Sequence, residues 1–481
     1  MCTSNDDDRG RRSVSRRTFL KVTAMGVGAS AFGGLLGACG SAPAPATSAT
    51  SVATAAAAGG AATNATGAAA AGGAAPAPAT SAATLRFVTN HGESDLPLFK
   101  TVLDNFRAQH PEITIDHLNI AAGEEFYTSI QTQGVGGNLP DVWYVRTFDV
   151  APYASKNWLV PLDEYVTRDA NEVKRDDFWP AQAAQMTYQG KLYTLPYDFS
   201  DWGIYYNKTM FEAEGVPLPT DDMTWDDIFG LAERFVKKEG GNQTRWGMTT
   251  FSAGWLMWGT LESFGGKLFS DDFKKSLINS PENIQTYKKF YDMAVRGVTP
   301  LPGATPQGVD PFAGGLVAMK SEGSWATNST RDAVGDRFKW DVVKIPKGST
   351  GKRFITPAGG AWGIAATSKF PDQAWTFMKF LASTESINIM VAEPVRSVPG
   401  RQSSASAWEK VVASGGLPPQ NAKIFPTMLQ EDAISVSYPV FWKEFDQIWT
   451  QRAGGIFTGT PVEEALATME AEVNELLQRP S

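Results

Sequence analysis

The chain has 481 residues, of which 42% are hydrophobic and 20% charged, and its formal net charge is −8 at pH 7. This length accommodates two domains of common size, and the acidic balance disfavours a nucleic-acid partner. With two cysteines and three histidines, none in a metal-binding spacing, the composition argues against a zinc centre.

The N-terminus carries a pattern that resembles a bacterial export signal. Residues 15–21 read Ser-Arg-Arg-Thr-Phe-Leu-Lys, and the pair Arg16 and Arg17 stands ahead of an apolar run. The twin-arginine export receptor recognises this arrangement on folded proteins. The run at 22–38 is short and rich in glycine for a permanent span, which favours a cleaved signal peptide over an uncleaved anchor.

A lipid anchor is predicted at Cys39. The preceding Gly37 and Ala38 are small, as in the lipoprotein box, where the thiol is acylated and the chain is cut just before the cysteine. The alternative is a chance cysteine in a signal peptide. Removal of residues 1–38, which carry six basic and three acidic side chains, changes the net charge from −8 to about −11.

Residues 39–83 are predicted to be the acylated cysteine and a disordered tether. From residue 40 they consist only of Ala, Gly, Ser, Thr, Pro, Val and Asn, without a charged or aromatic side chain. Such a segment buries too little apolar surface to offset the entropy of ordering. It therefore serves as a spacer between the lipid and the folded body.

Beyond the tether, apolar strands alternate with amphipathic helices, which predicts a parallel sheet flanked by helices. Thr224 and Ser280 stand at expected helix N-caps. The predicted strands are 84–89, 113–118 and 141–145, and the predicted helices are 96–109, 225–238 and 281–296.

Short motifs follow one another in a recognisable order from residue 84 onwards. The longest is Tyr-Gln-Gly-Lys-Leu-Tyr-Thr-Leu-Pro-Tyr-Asp at 188–198, followed by Ile-Tyr-Tyr-Asn-Lys at 204–208. In this order they resemble the extracellular solute-binding proteins of ABC importers, specifically sugar-binding family 1, which includes maltose-binding protein. The shorter motifs are Leu-Pro-Asp-Val at 139–142, Trp-Leu-Val-Pro-Leu at 158–162, Gly-Gly at 265–266, Gly-Ser-Trp at 323–325, Gly-Gly-Ala-Trp-Gly-Ile at 359–364 and Pro-Val-Glu-Glu-Ala-Leu at 461–466.

The resemblance implies an α/β fold of the two-lobed, periplasmic-binding-protein-like (type II) class, with hinge-connected lobes that close on a ligand. It places lobe 1 at 84–197 plus 357–408 and lobe 2 at 198–356 plus 409–481. It further implies a monomeric, extracytoplasmic protein, lipid-anchored to the cell membrane. Such a protein captures a carbohydrate, either an oligosaccharide or a related polyol, and delivers it to the permease subunits of an ABC importer.

A sugar presents apolar C–H faces and a ring of hydroxyl groups, so its site needs flat aromatic platforms and planar polar side chains. Trp255 and Trp258 are three residues apart, which puts both on one face of a helix. They are candidate platforms together with Trp325, and with Trp362 after the Gly-Gly pair, because these segments align with ligand-contacting segments of the family. The alternative is that these tryptophans belong to the hydrophobic core.

Polar candidates come from the ends of strands and from the crossings between lobes, where α/β folds bind ligands. For the charged ones, the alternative is a surface or structural ion pair. Asp141, at the start of a strand, is assigned to loop geometry and not to the site. The candidates are His91, Glu93, Ser94, Arg146, Thr147, Asp149, Tyr197, Asp198, Gly359, Gly360 and Arg396.

Sequence motifs of catalysis are missing. The chain has no Gly-x-Ser-x-Gly elbow, no phosphate-binding loop, no dinucleotide motif and no His-Glu-x-x-His. Neighbouring aspartates, such as those at 221–222, point apart and suit turns and helix N-termini better than a glycosidase pair. We therefore expect a binding protein without cofactor or metal. An exported glycan-active enzyme and a sugar-sensing receptor component stay open as alternatives.

Overall fold

A computed structural model describes residues 82–120, 123–250, 254–414 and 416–479. The predicted signal peptide, the anchor at Cys39 and nearly all of the tether lie outside these residues. Within them, each helix is too short or too polar to cross a membrane.

Two five-stranded sheets and one hairpin contain the strands. The first sheet has the order β2-β1-β3-β12-β6, the second has the order β11-β7-β10-β9-β8, and β4 pairs with β5. In chain order the strands are β1 (Ala83–Thr89), β2 (Ile113–Asn119), β3 (Val142–Arg146), β4 (Thr187–Tyr188), β5 (Lys191–Leu192), β6 (Thr194–Ser200), β7 (Trp202–Asn207), β8 (Lys237–Glu239), β9 (Asn242–Thr249), β10 (Val317–Gly323), β11 (Trp340–Lys344) and β12 (Ala358–Ile364).

The helices pack around these sheets, and their apolar faces build the cores described below. In chain order they are α1 (Leu96–Gln109), α2 (Glu124–Val135), α3 (Val150–Ser155), α4 (Asp163–Arg168), α5 (Ala170–Val173), α6 (Pro180–Gln185), α7 (Lys208–Glu214), α8 (Trp225–Glu233), α9 (Gly254–Ser263), α10 (Pro281–Val295), α11 (Thr327–Val334), α12 (Pro371–Leu381), α13 (Thr384–Ile387), α14 (Gln402–Ala413), α15 (Ile424–Glu431), α16 (Trp442–Ile456) and α17 (Val462–Leu477).

Most predicted elements are confirmed, and α8 is the clearest correction. Thr224 caps α8 in a capping box with Asp227, but the helix ends at Glu233 instead of continuing to residue 238. Gly240 and Gly241 both have positive φ, 55° and 84°, which suits a two-residue hairpin. That hairpin turns β8 onto β9 as an edge strand.

The first sheet is only partly parallel. β1 pairs in parallel with β2 and β3, as a β-α-β start predicts. However, β12 pairs antiparallel with both β3 and β6. The alternation of strands and helices did not indicate this antiparallel pairing, because β12 begins more than 200 residues after β3 ends. The resemblance assigns the segment 357–408 to lobe 1.

Each sheet has its own hydrophobic core, and we call the parts around the first and the second sheet lobe 1 and lobe 2. Leu85, Phe87 and Trp362 belong to the lobe 1 core, while Ile204 and Val342 belong to the lobe 2 core. The chain passes directly from β6 in one sheet to β7 in the other through residue 201. The residue limits of the lobes given above stay a prediction.

The crossing segments bind one another. The hydroxyl oxygens of Ser200 and Ser397 are 2.6 Å apart, and the Phe199 amide donates to the Val398 carbonyl at 2.9 Å. The indole Nε1 of Trp179 donates to the Pro399 carbonyl at 2.8 Å. These contacts join the crossing after β6 to the later crossing near residue 397 and form a compact hinge.

Candidate functional site

Aromatic side chains of both lobes meet beside the hinge. Phe148 lies just after β3 in lobe 1, and its ring centroid is 6.3 Å from that of Trp255 in lobe 2. It is also 5.6 Å from the ring of Tyr438 and 6.2 Å from that of Trp442. On the lobe 2 side, Trp255 lies 5.5 Å from Trp325. We call these five residues the cleft aromatic cluster.

The sequence identified two members of this cluster and missed three. Trp255 and Trp325 were candidate platforms, and both keep part of their surface exposed. Phe148 lies inside the segment 146–149, from which only polar residues were selected. Tyr438 and Trp442 share a hydrophobic cluster with Phe148 and with Trp258 of α9, and only this packing identifies them.

Trp258 lies on α9 with Trp255, as the spacing predicted, but it packs differently. Its side chain is 4% exposed, it stacks on Trp442 at 6.0 Å, and its Nε1 donates to Glu262 at 2.9 Å. A ring enclosed in this way has no free face for a ligand, so its position fits the core alternative.

His91, Tyr197 and Trp362 form a second aromatic group, inside lobe 1. Trp362 is 0% exposed, and its ring lies 4.9 Å from Tyr197 and 6.4 Å from His91. Burial lowers the pKa of His91 well below its ordinary value, and the charge of Arg396 adds to the shift. These three candidates are therefore buried in lobe 1 and do not present a surface to a ligand in this conformation.

Asp198 and Arg396 bind each other rather than facing open space. Arg396 Nη1 donates to Asp198 at 2.9 Å, and its Nε donates to Asp95 at 3.0 Å. The second oxygen of Asp198 accepts the amide of Gly360 at 2.7 Å. Burial raises the pKa of Asp198, although Arg396 opposes the shift. The geometry corresponds to the structural ion-pair alternative for both residues.

Gly359 and Gly360 act through their backbone in β12. The Gly359 amide donates to the Thr147 hydroxyl at 3.1 Å. A Cβ on Gly359 would lie 2.3 Å from the Asp198 carbonyl oxygen, so only glycine fits this close approach of strands. The Gly-Gly pair thus ties the segment after β3 to the first crossing, and Thr147 is buried in that contact.

Arg146 lies at the edge of the cleft aromatic cluster. Its guanidinium carbon is 3.4 Å from the ring centroid of Tyr127 and 4.4 Å from that of Phe148. Its Nε forms a 2.6 Å ion pair with Asp149. Burial by itself would lower the pKa of Arg146. The charge of Asp149 and its hydrogen bond outweigh this effect, and the pKa of Arg146 lies above its ordinary value. Arg146 and Asp149 therefore act as one unit.

A carboxylate of lobe 2 faces this pair. Asp446 lies on α16, and burial raises its pKa while the charge of Arg146 opposes the shift.

Two further candidates, Glu93 and Ser94, are exposed in the turn that leads into α1. Among the described residues, no group of three or more His, Cys, Asp or Glu side chains is arranged to hold a metal ion.

Asp201, which the sequence did not single out, lies at the crossing between β6 and β7. It is 0% exposed, and neither carboxylate oxygen has a hydrogen-bond partner among the described residues. Burial raises its pKa well above the ordinary value of 3.8, and the nearby Asp432 adds to the shift. Burial without a hydrogen-bond partner therefore favours the neutral form of the Asp201 carboxyl over the ionised form in the folded protein.

Replacing Asp201 with asparagine is expected to stabilise the protein at high pH. The raised pKa means that the folded state binds a proton more tightly than the unfolded state. The contribution of Asp201 to the free energy of unfolding of the wild type is fully present below pH 3.8. This contribution is lost as the pH rises towards and through the folded-state pKa. We expect Asp201→Asn to gain about 2 kcal/mol at pH 8, measured by urea unfolding from pH 4 to pH 8.

The control for this prediction is Asp336→Asn, which changes an exposed aspartate in the turn after α11. We expect it to leave the shape of the pH curve unchanged. A curve for Asp201→Asn that falls with pH as steeply as the wild-type curve would contradict the assignment of a buried proton to Asp201.

Taken together, the lobe junction offers the partly exposed rings of Trp255 and Trp325, backed by buried aromatic side chains and with a few polar groups beside them. Aromatic faces stack on apolar C–H surfaces, and ionised or neutral carboxyl groups bind hydroxyl groups. The arrangement suits reversible binding of a polar ligand with apolar faces.

Comparisons with known proteins agree with this architecture. A family model described as bacterial extracellular solute-binding protein matches residues 101–418. The chain is 22% identical over 400 residues to a lactose-binding protein of Rhizobium radiobacter, which covers 80% of this chain and 90% of that protein.

Two solved structures share the fold. An ABC substrate-binding protein from Listeria monocytogenes in complex with cycloalternan superposes with a TM-score of 0.75 at 22% identity, covering 82% of this chain and 99% of that one. The GacH receptor of Streptomyces glaucescens, solved unliganded and with acarbose, gives 0.71 at 20% identity, covering 83% and 100%.

Proposed function

Because this chain belongs to the bacterial extracellular solute-binding protein family, we propose that it captures a carbohydrate between its two lobes for an ABC importer. The observation that carries the proposal is the cleft aromatic cluster, in which Phe148 of lobe 1 meets Trp255 of lobe 2. The C–H faces of a sugar ring stack on such side chains, and partly exposed Trp255 and Trp325 provide two of them.

The relative and the solved structures described above support the choice of ligand. Lactose, cycloalternan and acarbose, which appear in their descriptions, are all carbohydrates of two or more rings. We infer that an oligosaccharide or a related polyol is the ligand of this chain. All three proteins are described by binding rather than catalysis, and we propose that this chain also binds without catalysing a reaction.

The proposed cycle begins with an open form that holds the ligand on one lobe. Closure about the hinge brings the second lobe onto the ligand, and the closed form is favoured because only there does the ligand contact both lobes. The closed complex then docks on the permease subunits, whose ATPase supplies the energy. We propose that Cys39 carries the lipid that keeps the monomeric protein near this partner after export through the Arg16-Arg17 signal.

A ligand screen tests the proposal. Lactose, acarbose, maltotriose and mannitol are titrated separately against the mature chain, following tryptophan emission and thermal unfolding. We expect at least one of them to stabilise the protein by about 2.7 kcal/mol at a hundredfold excess over its Kd. A shift with a polyamine, a peptide or glycerol phosphate, and with none of the carbohydrates, would show that the ligand class is wrong.

The same samples distinguish binding from catalysis. Incubation with oligosaccharides should leave the amount of reducing ends unchanged. Protein-dependent release of reducing ends would favour the glycan-active enzyme instead.

A further inference from the structure

The side chain of Arg331 holds backbone carbonyls from two separate chain segments. Arg331 lies on α11 in lobe 2, and its Nη1 and Nη2 donate to the carbonyls of Pro394 and Val395, both at 2.9 Å. Its Nε donates to the carbonyl of Pro418 at 2.6 Å, and Nη1 also reaches Asn328 on the same helix. A planar guanidinium with five donors is suited to this fork-like contact.

These contacts do not compensate the charge of Arg331. Among the described residues, Arg331 has no ion pair with a carboxylate, and burial lowers its pKa to about 10. A partly buried cation without a counterion is costly. The carbonyl groups offset the cost of burying the guanidinium only in part. The contribution of Arg331 is therefore the geometry that its hydrogen bonds impose on the turn at Pro394 and Val395.

The turn that Arg331 holds is strained. Val395 has φ of +50°, a left-handed conformation that β-branched residues rarely adopt. Such strain persists only where the surrounding contacts determine the conformation strongly. The carbonyls of Pro394 and Val395 are the two groups that Arg331 fixes, and the Val395 side chain is buried in the lobe 2 core.

The strained residue lies where the chain changes lobes. Val391 belongs to the lobe 1 core, and Val395 belongs to the lobe 2 core. The next side chain, Arg396, returns to lobe 1 and binds Asp95 and Asp198. The conformation of Val395 therefore sets the direction in which Arg396 leaves lobe 2.

We propose that Arg331 is a positioning residue of the hinge, which keeps Val395 left-handed from lobe 2 and thereby keeps Arg396 on Asp198 as the lobes close. By this means it sets the equilibrium between the open and closed lobes, and through it the affinity for carbohydrate. The effect on the affinity for carbohydrate rests on the function proposed above, whereas the effect on the equilibrium between open and closed lobes does not.

The test is a double-mutant cycle between Arg331→Met and Val395→Gly. Glycine adopts the left-handed conformation without strain, so a variant with glycine at 395 no longer needs Arg331 to hold it. We expect Arg331→Met alone to weaken binding of lactose or acarbose about tenfold. In the Val395→Gly background, we expect the same change to weaken binding less than about twofold.

Arg331→Lys and Arg245→Met are the matched variants. Lysine keeps the charge but lacks the planar fork, so we expect it to behave like methionine. Arg245 is also a partly buried lobe 2 arginine bonded to a backbone carbonyl, that of Phe235, but it also pairs with Glu214 and lies away from the hinge. We expect Arg245→Met to lower the melting temperature and leave the affinity unchanged.

Small-angle scattering of the unliganded proteins provides a readout that needs no ligand. We expect Arg331→Met to have a larger radius of gyration than the wild type, because it favours the open lobes. An unchanged radius, or an equal loss of affinity in both backgrounds, would reduce Arg331 to a stabilising contact and overturn the proposal. If no carbohydrate binds to any variant, the proposed function fails, and the radius still decides the role of Arg331.

Discussion

A chain in which Trp255 and Trp325 are both replaced by alanine is expected to bind carbohydrate at least about a hundredfold more weakly than the wild type. The two indoles lie 5.5 Å apart, and Trp255 also lies 6.3 Å from Phe148 across the cleft. Loss of both rings removes the lobe 2 surface on which a sugar would stack and the contact that Phe148 makes on closure. Isothermal titration with lactose and acarbose measures the effect without relying on tryptophan emission.

Two controls separate stacking from loss of folding. Replacement of Trp255 and Trp325 by phenylalanine keeps flat rings, so we expect it to keep most of the affinity. Trp158 is a partly buried tryptophan of lobe 1 that packs on Tyr153 at 5.4 Å, away from the cluster. Trp158→Ala should lower the melting temperature only. An unchanged Kd in the double-alanine variant would reject the cleft aromatic cluster as the binding site.

Replacing Arg396 with methionine is expected to lower the free energy of unfolding by about 3 to 5 kcal/mol. The substitution keeps similar apolar bulk but leaves Asp95 and Asp198 without their common cation. Both carboxyl groups are buried, and an unpaired buried charge costs more than the net contribution of the pair. Urea unfolding at pH 7 measures the loss.

Rescue by a second substitution identifies the physical cause. Asp198→Asn removes one of the two uncompensated charges, and an asparagine oxygen still accepts the Gly360 amide. The combination with Arg396→Met should therefore recover part of the lost stability. Arg168→Met, at an exposed arginine that pairs with Asp169 at 3.1 Å, should cost less than about 1 kcal/mol. A loss of that small size for Arg396→Met would exclude a structural ion pair at the hinge.

The local elements were largely predictable because their signals are local. The apolar spacing of 96–109 and the His-Pro break after it give α1 and β2, and Thr224 and Ser280 cap the helices that they precede. The end of α8 was not predictable in this way. There the Gly240-Gly241 hairpin and pairing with β9 outweigh helix propensity.

The candidate site was predictable only in part, because burial depends on neighbours distant in sequence. Trp255 and Trp362 have the same chemistry, but one borders the cleft and the other is enclosed in the lobe 1 core. Arg396 and Asp198 are 198 residues apart, so their ion pair could not be read from either motif. Asp201 carries no motif at all, and only its burial without a partner identifies it.

The amino-acid sequence by itself determined several of the strands and helices, the family and the expected two-lobed architecture, since periodicity, capping residues and ordered motifs are properties of short segments. Tertiary structure alone decided which polar groups are paired and which aromatic rings are free. It joined Phe148 to Trp255 across the lobes and placed Arg331 on the turn that carries Arg396. The physical reason is that solvent exclusion and hydrogen-bond partners arise from packing between segments far apart in the chain.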